Sequence, residues 1–226
     1  MPPDLLTVRS PFVNFHVLRD DDGLYLLDAG FIGGRRLLAR ELKRHGLDRE
    51  PIRGIILTHG HLDHILNVQS ISRETGAWVA APRLDADHYA GKPVYRGASM
   101  FTGCLEAIGR PLLKFQSFTP DRWIDDGEII DVWHGLKAVH LPGHTAGHTG
   151  FLCERLKLLF CGDLFASFRG FSHLPPAILN TDPGLIALSV SRVLSLNLAG
   201  VIPNHADAAS PAEHLARLRR LSARGD

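Results

Sequence analysis

Cysteine is scarce in this chain: three among 226 residues, at positions 104, 153 and 161. An odd number at unrelated spacings is no disulfide framework, and a reducing, cytoplasmic setting is expected. An excess of one charge is also missing. The 25 lysines and arginines against 24 acids leave a formal net charge of +1, which argues against a strongly cationic nucleic-acid binder. No apolar run approaches the ~20 residues that span a bilayer. The opening Met1-Pro2-Pro3-Asp4 has no basic stretch followed by an apolar one, so neither a secretory signal nor a membrane partner is expected. Low-complexity tracts, short-period repeats and composition shifts that would mark a linker are missing too. The apolar share of 45% is ordinary, which excludes global disorder and suffices for a large core at this length. A single domain over residues 1–226 is therefore expected. What stands out is 13 histidines, the residue type most used to bind metals and to move protons near neutral pH.

The pattern predicts strands over Phe12–Leu18 and Leu24–Asp28, joined by the hairpin chemistry of Asp20-Asp21-Asp22-Gly23. A helix is predicted over Arg35–His45, stopped by Gly46. The short apolar run Ile55-Ile56-Leu57 reads as a buried strand, residues 62–75 as helix, and Trp78-Val79-Ala80 as strand. Residues 83–125 resist assignment, being interrupted by Gly91, Pro93, Gly97, Pro111 and Pro120. The second half repeats the style, with strands at 138–141, 150–153, 158–161 and 201–202. Asp182-Pro183 opens a helix carrying Ile186, Val190, Val193 and Asn197. Ser210-Pro211-Ala212-Glu213 opens a last helix with Leu215, Leu218 and Leu221 inward. Its Arg217, Arg219, Arg220 and Arg224 read as a solvated face. The result is a mixed α/β architecture with sheets inside and helices outside.

The chemistry-bearing residues fall at strand ends, where a rigid scaffold gathers function on loops. Thr58-His59-Gly60-His61-Leu62-Asp63-His64 packs three histidines and a carboxylate into six residues. Neutral imidazoles with a carboxylate are the ligand set of zinc, iron or manganese. One mononuclear site rarely takes all four from one loop, so two metals sharing a wall are indicated. Leu141-Pro142-Gly143-His144, Cys161-Gly162-Asp163 and Pro203-Asn204-His205 follow three further strands. His16, His45, His88, His134, His140, His173 and His214 read as surface or satisfied core residues, and His148 as a turn cap or a support behind the cluster. Cys161 and the tryptophans at 78, 123 and 133 read as core.

The order H-x-H-x-D-H, then P-G-H-T, then G-D, then a late His resembles the metallo-β-lactamase-fold superfamily of metallohydrolases, in its glyoxalase II and lactonase-like branch. Leu27-Asp28-Ala29-Gly30 and Asn14 resemble two early elements of the same family, so the likeness spans roughly residues 10–210. It implies a four-layer αβ/βα sandwich, two mixed β-sheets with outer helices and metals at one edge. It further implies that His59, His61 and His144 bind a first metal, that Asp63, His64 and His205 bind a second, and that Asp163 bridges both. Asp28 would orient a ligand imidazole from behind. The cofactors implied are two divalent ions, zinc foremost, with iron or manganese as alternatives. Two departures stand out: Ile65-Leu66-Asn67 where many members carry Gly-Gly, and Asn204-His205-Ala206 around the late histidine. Both alter loop shape rather than ligand identity.

The activity implied is hydrolysis of a small ester, thioester or lactone by a hydroxide shared between metals, with Asp63 taking up a proton and no covalent enzyme intermediate. The competing readings are a persulfide dioxygenase-like enzyme with one iron on His59, His144 and Asp163, a phosphodiesterase, and a non-catalytic metal-binding or electron-transfer module. The glyoxalase II likeness stops at the metals, because the extra C-terminal region with basic glutathione contacts has no counterpart here. The lactonase tyrosine three residues past the bridging Asp is Ala166. Residues 85–123, with Tyr89, Tyr95, Met100, Phe101 and Phe115, and residues 164–180 are expected to line the pocket. Within the second stretch Phe168 and Arg169 are the substrate-contact candidates, Arg169 for a carboxylate or phosphate. A small-molecule partner is expected, with the oligomeric state open and a homodimer included.

Overall fold

The computed structural model describes residues 2–224. Two β-sheets pack face to face. The first holds β1 (Leu5–Val8), β2 (Phe15–Asp20), β3 (Gly23–Leu27), β4 (Ile52–Ile56), β5 (Trp78–Pro82) and β6 (Arg122–Ile124), in sequence order across the sheet. Strands β1 to β3 are antiparallel, and β3 to β6 are parallel. The second sheet contains β7 (Ile129–Ile130), β8 (Leu136–His140), β9 (Thr149–Cys153), β10 (Leu158–Gly162) and β13 (Gly200–Pro203), ordered β13-β10-β9-β8-β7. A separate ribbon pairs β11 (Ala166–Phe168) with β12 (Phe171–His173).

Strand periodicity explains the layering, because alternate side chains leave a strand on opposite faces. Along β3, Tyr25 and Leu27 enter the core between the sheets, and Leu24 and Leu26 face outward. Along β10, Leu158 and Phe160 join the inner core while Leu159 and Cys161 face out. The outward residues are covered by helices. Helices α1 (Gly34–Arg44) and α3 (Val68–Thr75) lay Leu38, Leu42, Val68 and Ile71 on the first sheet. Helices α6 (Ile186–Ser195) and α7 (Pro211–Arg224) lay Val190, Val193, Leu215, Leu218 and Leu221 on the second. Helix, sheet, sheet, helix is the four-layer α/β sandwich that the family resemblance implied.

Several details differ from the sequence expectation. Strand β1 has no counterpart in it. Residues 62–75 form two helices, α2 (Leu62–Ile65) and α3, broken where the Asn67 amide donates to the carbonyls of Ala29, Gly30 and Phe31 at 2.8–3.0 Å. Asn197 lies beyond α6, whose chain turns extended at Leu196. Arg217 is buried rather than solvated, since its guanidinium donates to Ser167 O (3.2 Å) and Asp207 (3.0 Å) and ties α7 to β11. The unreadable segment holds α4 (Ala86–Tyr89) and α5 (Met100–Leu112). Trp78 and Trp123 pack partly buried against the core, and Trp133 is buried within it. No helix among the described residues is long and apolar enough to cross a membrane.

His16 is buried against Phe160, with Nδ1 on the Thr7 hydroxyl at 3.1 Å. Burial, with Arg9 adding to it, pushes its pKa down to about 3 from 6.5. The unfolded chain therefore binds a proton below pH 6.5 that the folded chain refuses until near pH 3. Stability should be level above pH 6.5 and fall below it, by up to ~1.4 kcal/mol per pH unit for this group. Urea melts from pH 7 to pH 4 should show a shallower decline for His16→Leu than for the parent; equal slopes would show that His16 is not a source of acid sensitivity.

Candidate metal centre

Four parallel-running strand ends, two from each sheet region, deliver the polar cluster to one edge of the sandwich. β3 ends just before Asp28, β4 runs into Leu57–His64, β10 ends at Gly162 just before Asp163, and β13 ends before Asn204-His205. The loop after β8 adds His144 and His148. Gly60 is required by crowding: a Cβ there would stand 2.4 Å from the Cβ of His88. Gly162 has φ +54 and lies against His148, where a Cβ would meet Nε2 at 2.6 Å. Both glycines let backbone pass where a side chain would displace a ligand-bearing loop.

All seven sequence-selected residues come together. Ligand atoms of His59, His61 and His144 lie within 4.8 Å of one another, as do those of Asp63, His64, Asp163 and His205. Asp163 Oδ2 stands between the two sets, 3.5 Å from His144 Nε2, 3.3 Å from His64 Nε2 and 3.0 Å from His205 Nε2. Asp63 and His205 are the partly open members, with side-chain exposures of 30% and 31%.

Hydrogen bonds behind the cluster fix the imidazole tautomers. Asp28 is fully buried and accepts from Thr58 N (2.8 Å), Thr58 Oγ1 (2.8 Å), His64 Nδ1 (2.9 Å) and Asn204 Nδ2 (2.7 Å). The Thr58 hydroxyl directs its proton to Asp28, so it accepts the Nδ1 proton of His59 at 3.0 Å. His144 Nδ1 donates to Asn180 Oδ1 at 3.0 Å. In each ring Nδ1–H is held outside, and Nε2 points inward. The Nε2 atoms of His59, His61 and His64 and Oδ1 of Asp163 are buried without hydrogen-bond partners. His61 Nδ1 faces His144 Nε2 at 2.9 Å. Lone pairs turned on one another and on carboxylates, away from water, need a cation or proton between them. The donor set therefore fits divalent metal ions.

The electrostatics agree. Burial opposes charge on His64, but Asp163, Asp63 and Asp28 together outweigh it and raise its pKa well above 6.5. Asp163 raises His205 to about 10 against burial. Burial would favour the neutral acid of Asp163, yet His205 and His64 hold it well below the ordinary carboxyl range. Burial lowers His59 and His61, with neighbouring imidazoles adding to the effect. Metal-free, the pocket draws positive charge to one side and keeps neutral nitrogen donors on the other.

His148 is not turned toward the cluster as a ligand. Its Nδ1 donates to Leu141 O (2.9 Å) and its Nε2 accepts from Asp163 N (3.0 Å), so it holds the backbone of Asp163; burial pushes its pKa down to about 3. Phe168 and Arg169 sit elsewhere. They border a separate hollow with Glu213, Arg217 and Arg220 of α7, and Arg169 N donates to Asp207. The chain leaves Asp163 toward β11, whose Ser167 bridges Ala206, and this carries both residues off the wall of the cluster. Tyr89 and Phe115 belong to the core over the first sheet, whereas the Tyr95 ring stacks near His61 with centroids 6.2 Å apart.

The sequence analysis took Asp85 only as the start of a pocket-lining stretch and missed its role between the loops. It is buried and accepts from Gly60 N (2.8 Å), Thr145 Oγ1 (2.6 Å) and Gly147 N (2.7 Å). One carboxylate thus ties the His59–His64 loop to the His144–His148 loop. Its signal was position alone, since it lies just past β5 on the same sheet edge. Asp85→Ala should cost about 3 kcal/mol, because two loop N–H groups lose their partners. It should also weaken metal binding by ~10–100-fold. Chemical denaturation and metal-competition titrations measure both; a variant matching the parent in both would remove Asp85 from this role.

A family model for the metallo-beta-lactamase superfamily matches residues 9–197. The hydroxyacylglutathione hydrolase GloC of Haemophilus influenzae is 29% identical over 198 residues, covering 86% of this chain and 85% of that protein. The probable metallo-hydrolase YflN of Bacillus subtilis is 24% identical over 220 residues, covering 88% of this chain and 82% of that one. Among solved structures, a metallo-beta-lactamase family protein from Thermus thermophilus superposes with TM-score 0.74 at 21% identity, over 99% of this chain and 79% of its own.

Proposed function

Because the chain belongs to the metallo-beta-lactamase superfamily, we propose that it is a hydrolase that uses two divalent metal ions, zinc foremost, to cleave a small acyl compound. A thioester is the leading substrate class, with esters and lactones beside it. Relatives named as hydroxyacylglutathione hydrolases support the thioester choice. The observation that carries the proposal is the convergence of two ligand sets on Asp163 Oδ2. His59, His61 and His144 would hold one ion, Asp63, His64 and His205 the other, and Asp163 both. When bound, such a pair supplies Lewis acidity for the substrate carbonyl and acidifies a water to a pKa near ~7.

The chain's own residues do the rest. Asp28, through His64 and Thr58, and Asn180, through His144, hold the Nδ1 side of three rings and so aim Nε2 into the site. Asp63 opens to solvent at the edge of the cluster. Burial favours its neutral acid, but His64 and His205 outweigh burial and hold its pKa below the ordinary value. It is therefore ionised at neutral pH, ready to take the proton of the attacking water and pass it to the leaving group. The balance is RC(O)–XR′ + H2O → RCO2H + HXR′, with the C–X bond broken and no enzyme-bound acyl group. The site opens at a recess of about 480 Å³ reached by His61, Asp63 and His205, a size suited to a small molecule. A reducing, cytoplasmic setting fits the three free thiols, two of them buried.

Elemental analysis of protein purified without added metal is expected to give two ions per chain. Asp163→Ala should lose both and nearly all activity, while His205→Ala should empty mainly one site. An Asp163→Ala variant that keeps two ions would defeat the bridging assignment. One iron per chain, with oxygen uptake on a persulfide substrate, would replace hydrolysis with sulfur oxidation.

A further inference from the structure

Helix α5 is inside out. Its polar residues are the buried ones: Thr102, Glu106 and Arg110 are 8%, 7% and 6% exposed. Its apolar residues face solvent, with Leu105, Ile108 and Leu112 at 54%, 67% and 75%. The inward face is occupied by the metal-site loop. Glu106 Oε1 accepts Leu62 N at 2.8 Å, next to His61, and Glu106 Oε2 accepts two donors of Arg110 at 2.6 and 2.9 Å. Arg110 Nη1 completes the set on His88 O at 2.9 Å. An amphipathic helix ordinarily turns its apolar stripe to the core. Here the polar stripe is needed to hold a backbone N–H of the His loop, and of the apolar residues left facing out Leu105 borders the mouth of the site.

The recess over the metal centre inherits that character. Its outer wall is Leu105, Gly109 and Leu113 of α5 and the turn after it. Leu179 faces them, and Phe12 and Phe31 close the far side edge to face with centroids 5.5 Å apart. Its floor is His61, Asp63 and His205. No lysine or arginine among the described residues borders it, and the guanidinium behind it, Arg110, is buried and engaged by Glu106 and His88. Apart from the metal-site histidines, whose positive charge is shared with Asp63 and Asp163, a substrate carboxylate would find no cationic side chain here and would meet Asp63.

Building on the hydrolase reading, we infer that this recess receives an uncharged apolar chain of several carbons next to the scissile carbonyl, so that the substrates are medium-chain acyl thioesters or esters with a neutral leaving group rather than thioesters of an anionic thiol. Each buried methylene adds about 0.8 kcal/mol, or about fourfold in binding. Charge selection follows from the apolar wall, because an unpaired carboxylate pressed against it loses its hydration without a partner.

The test compares S-acyl-N-acetylcysteamines from acetyl to octanoyl with glutathione thioesters of the same acyl groups, using the protein with its own metal. kcat/KM should rise at least a hundredfold from acetyl to octanoyl, and glutathione should bring no gain over the neutral thiol. Leu105→Asp, at an exposed position that folding tolerates, should cut the octanoyl-to-acetyl ratio at least tenfold. A flat chain-length profile, or a tenfold preference for the glutathione series, overturns the inference. Calorimetric binding of acetamide and octanamide runs in parallel. Absence of turnover in both series, with octanamide still bound at least a hundredfold more tightly, overturns hydrolysis and supports the apolar recess. Equal binding of the two amides overturns the recess itself.

Discussion

Everything at the site depends on one buried carboxylate. Asp28 has no contact with solvent, stands at a positive φ of 62°, and accepts four hydrogen bonds from three residues, Thr58, His64 and Asn204. Two of them set ring orientation, directly for His64 and through the Thr58 hydroxyl for His59. A third, from Asn204, holds the turn that carries His205. Removing a proton-accepting oxygen here would leave the His64 and His59 rings without the partner that fixes their orientation. The cost of burying Asp28 is offset by complete satisfaction of its oxygens, the condition under which buried charge is tolerated.

Asp85 performs the complementary task between loops rather than rings. The two ligand loops come from different sheets, and no regular ladder joins them. Three short hydrogen bonds to Asp85, with one from Thr149 N to Thr58 O at 2.9 Å, replace that ladder. The sandwich thus places strand ends at one edge, and two acids convert rough placement into a fixed constellation. Rigid supporting residues of this kind keep ligand geometry within the tolerance that metal sites demand.

The fold and the metal cluster were legible for different reasons. The layers could be read because β3, β4 and β10 are continuous apolar runs with helix-period segments between them, and those patterns dictate burial. The cluster could be read because four of its members adjoin one another and the other three each end an apolar strand. The supports were hidden because an Asp such as Asp85 or an Asn such as Asn180 gains its role from a partner far along the chain. Arg217 looked solvated for the same reason, its acceptors lying on β11 and in the turn past His205. Helix α5 defeated pattern reading outright, since its apolar stripe faces water and its polar stripe faces protein. Phe168 and Arg169 were placed by nearness to Asp163 in sequence, which says nothing of the side on which a chain leaves a strand.

The order of ligands along the chain has a consequence for biosynthesis. His59, His61, Asp63 and His64 emerge from the ribosome together, but Asp163 reaches the cluster only when β10 has joined the second sheet. His205 follows only when β13 has paired in parallel with β10. Such parallel, long-range pairings close late in folding. A nascent chain therefore displays an open tetrad of donors long before the other three join it, and any ion that needs all seven would report that both sheets have docked.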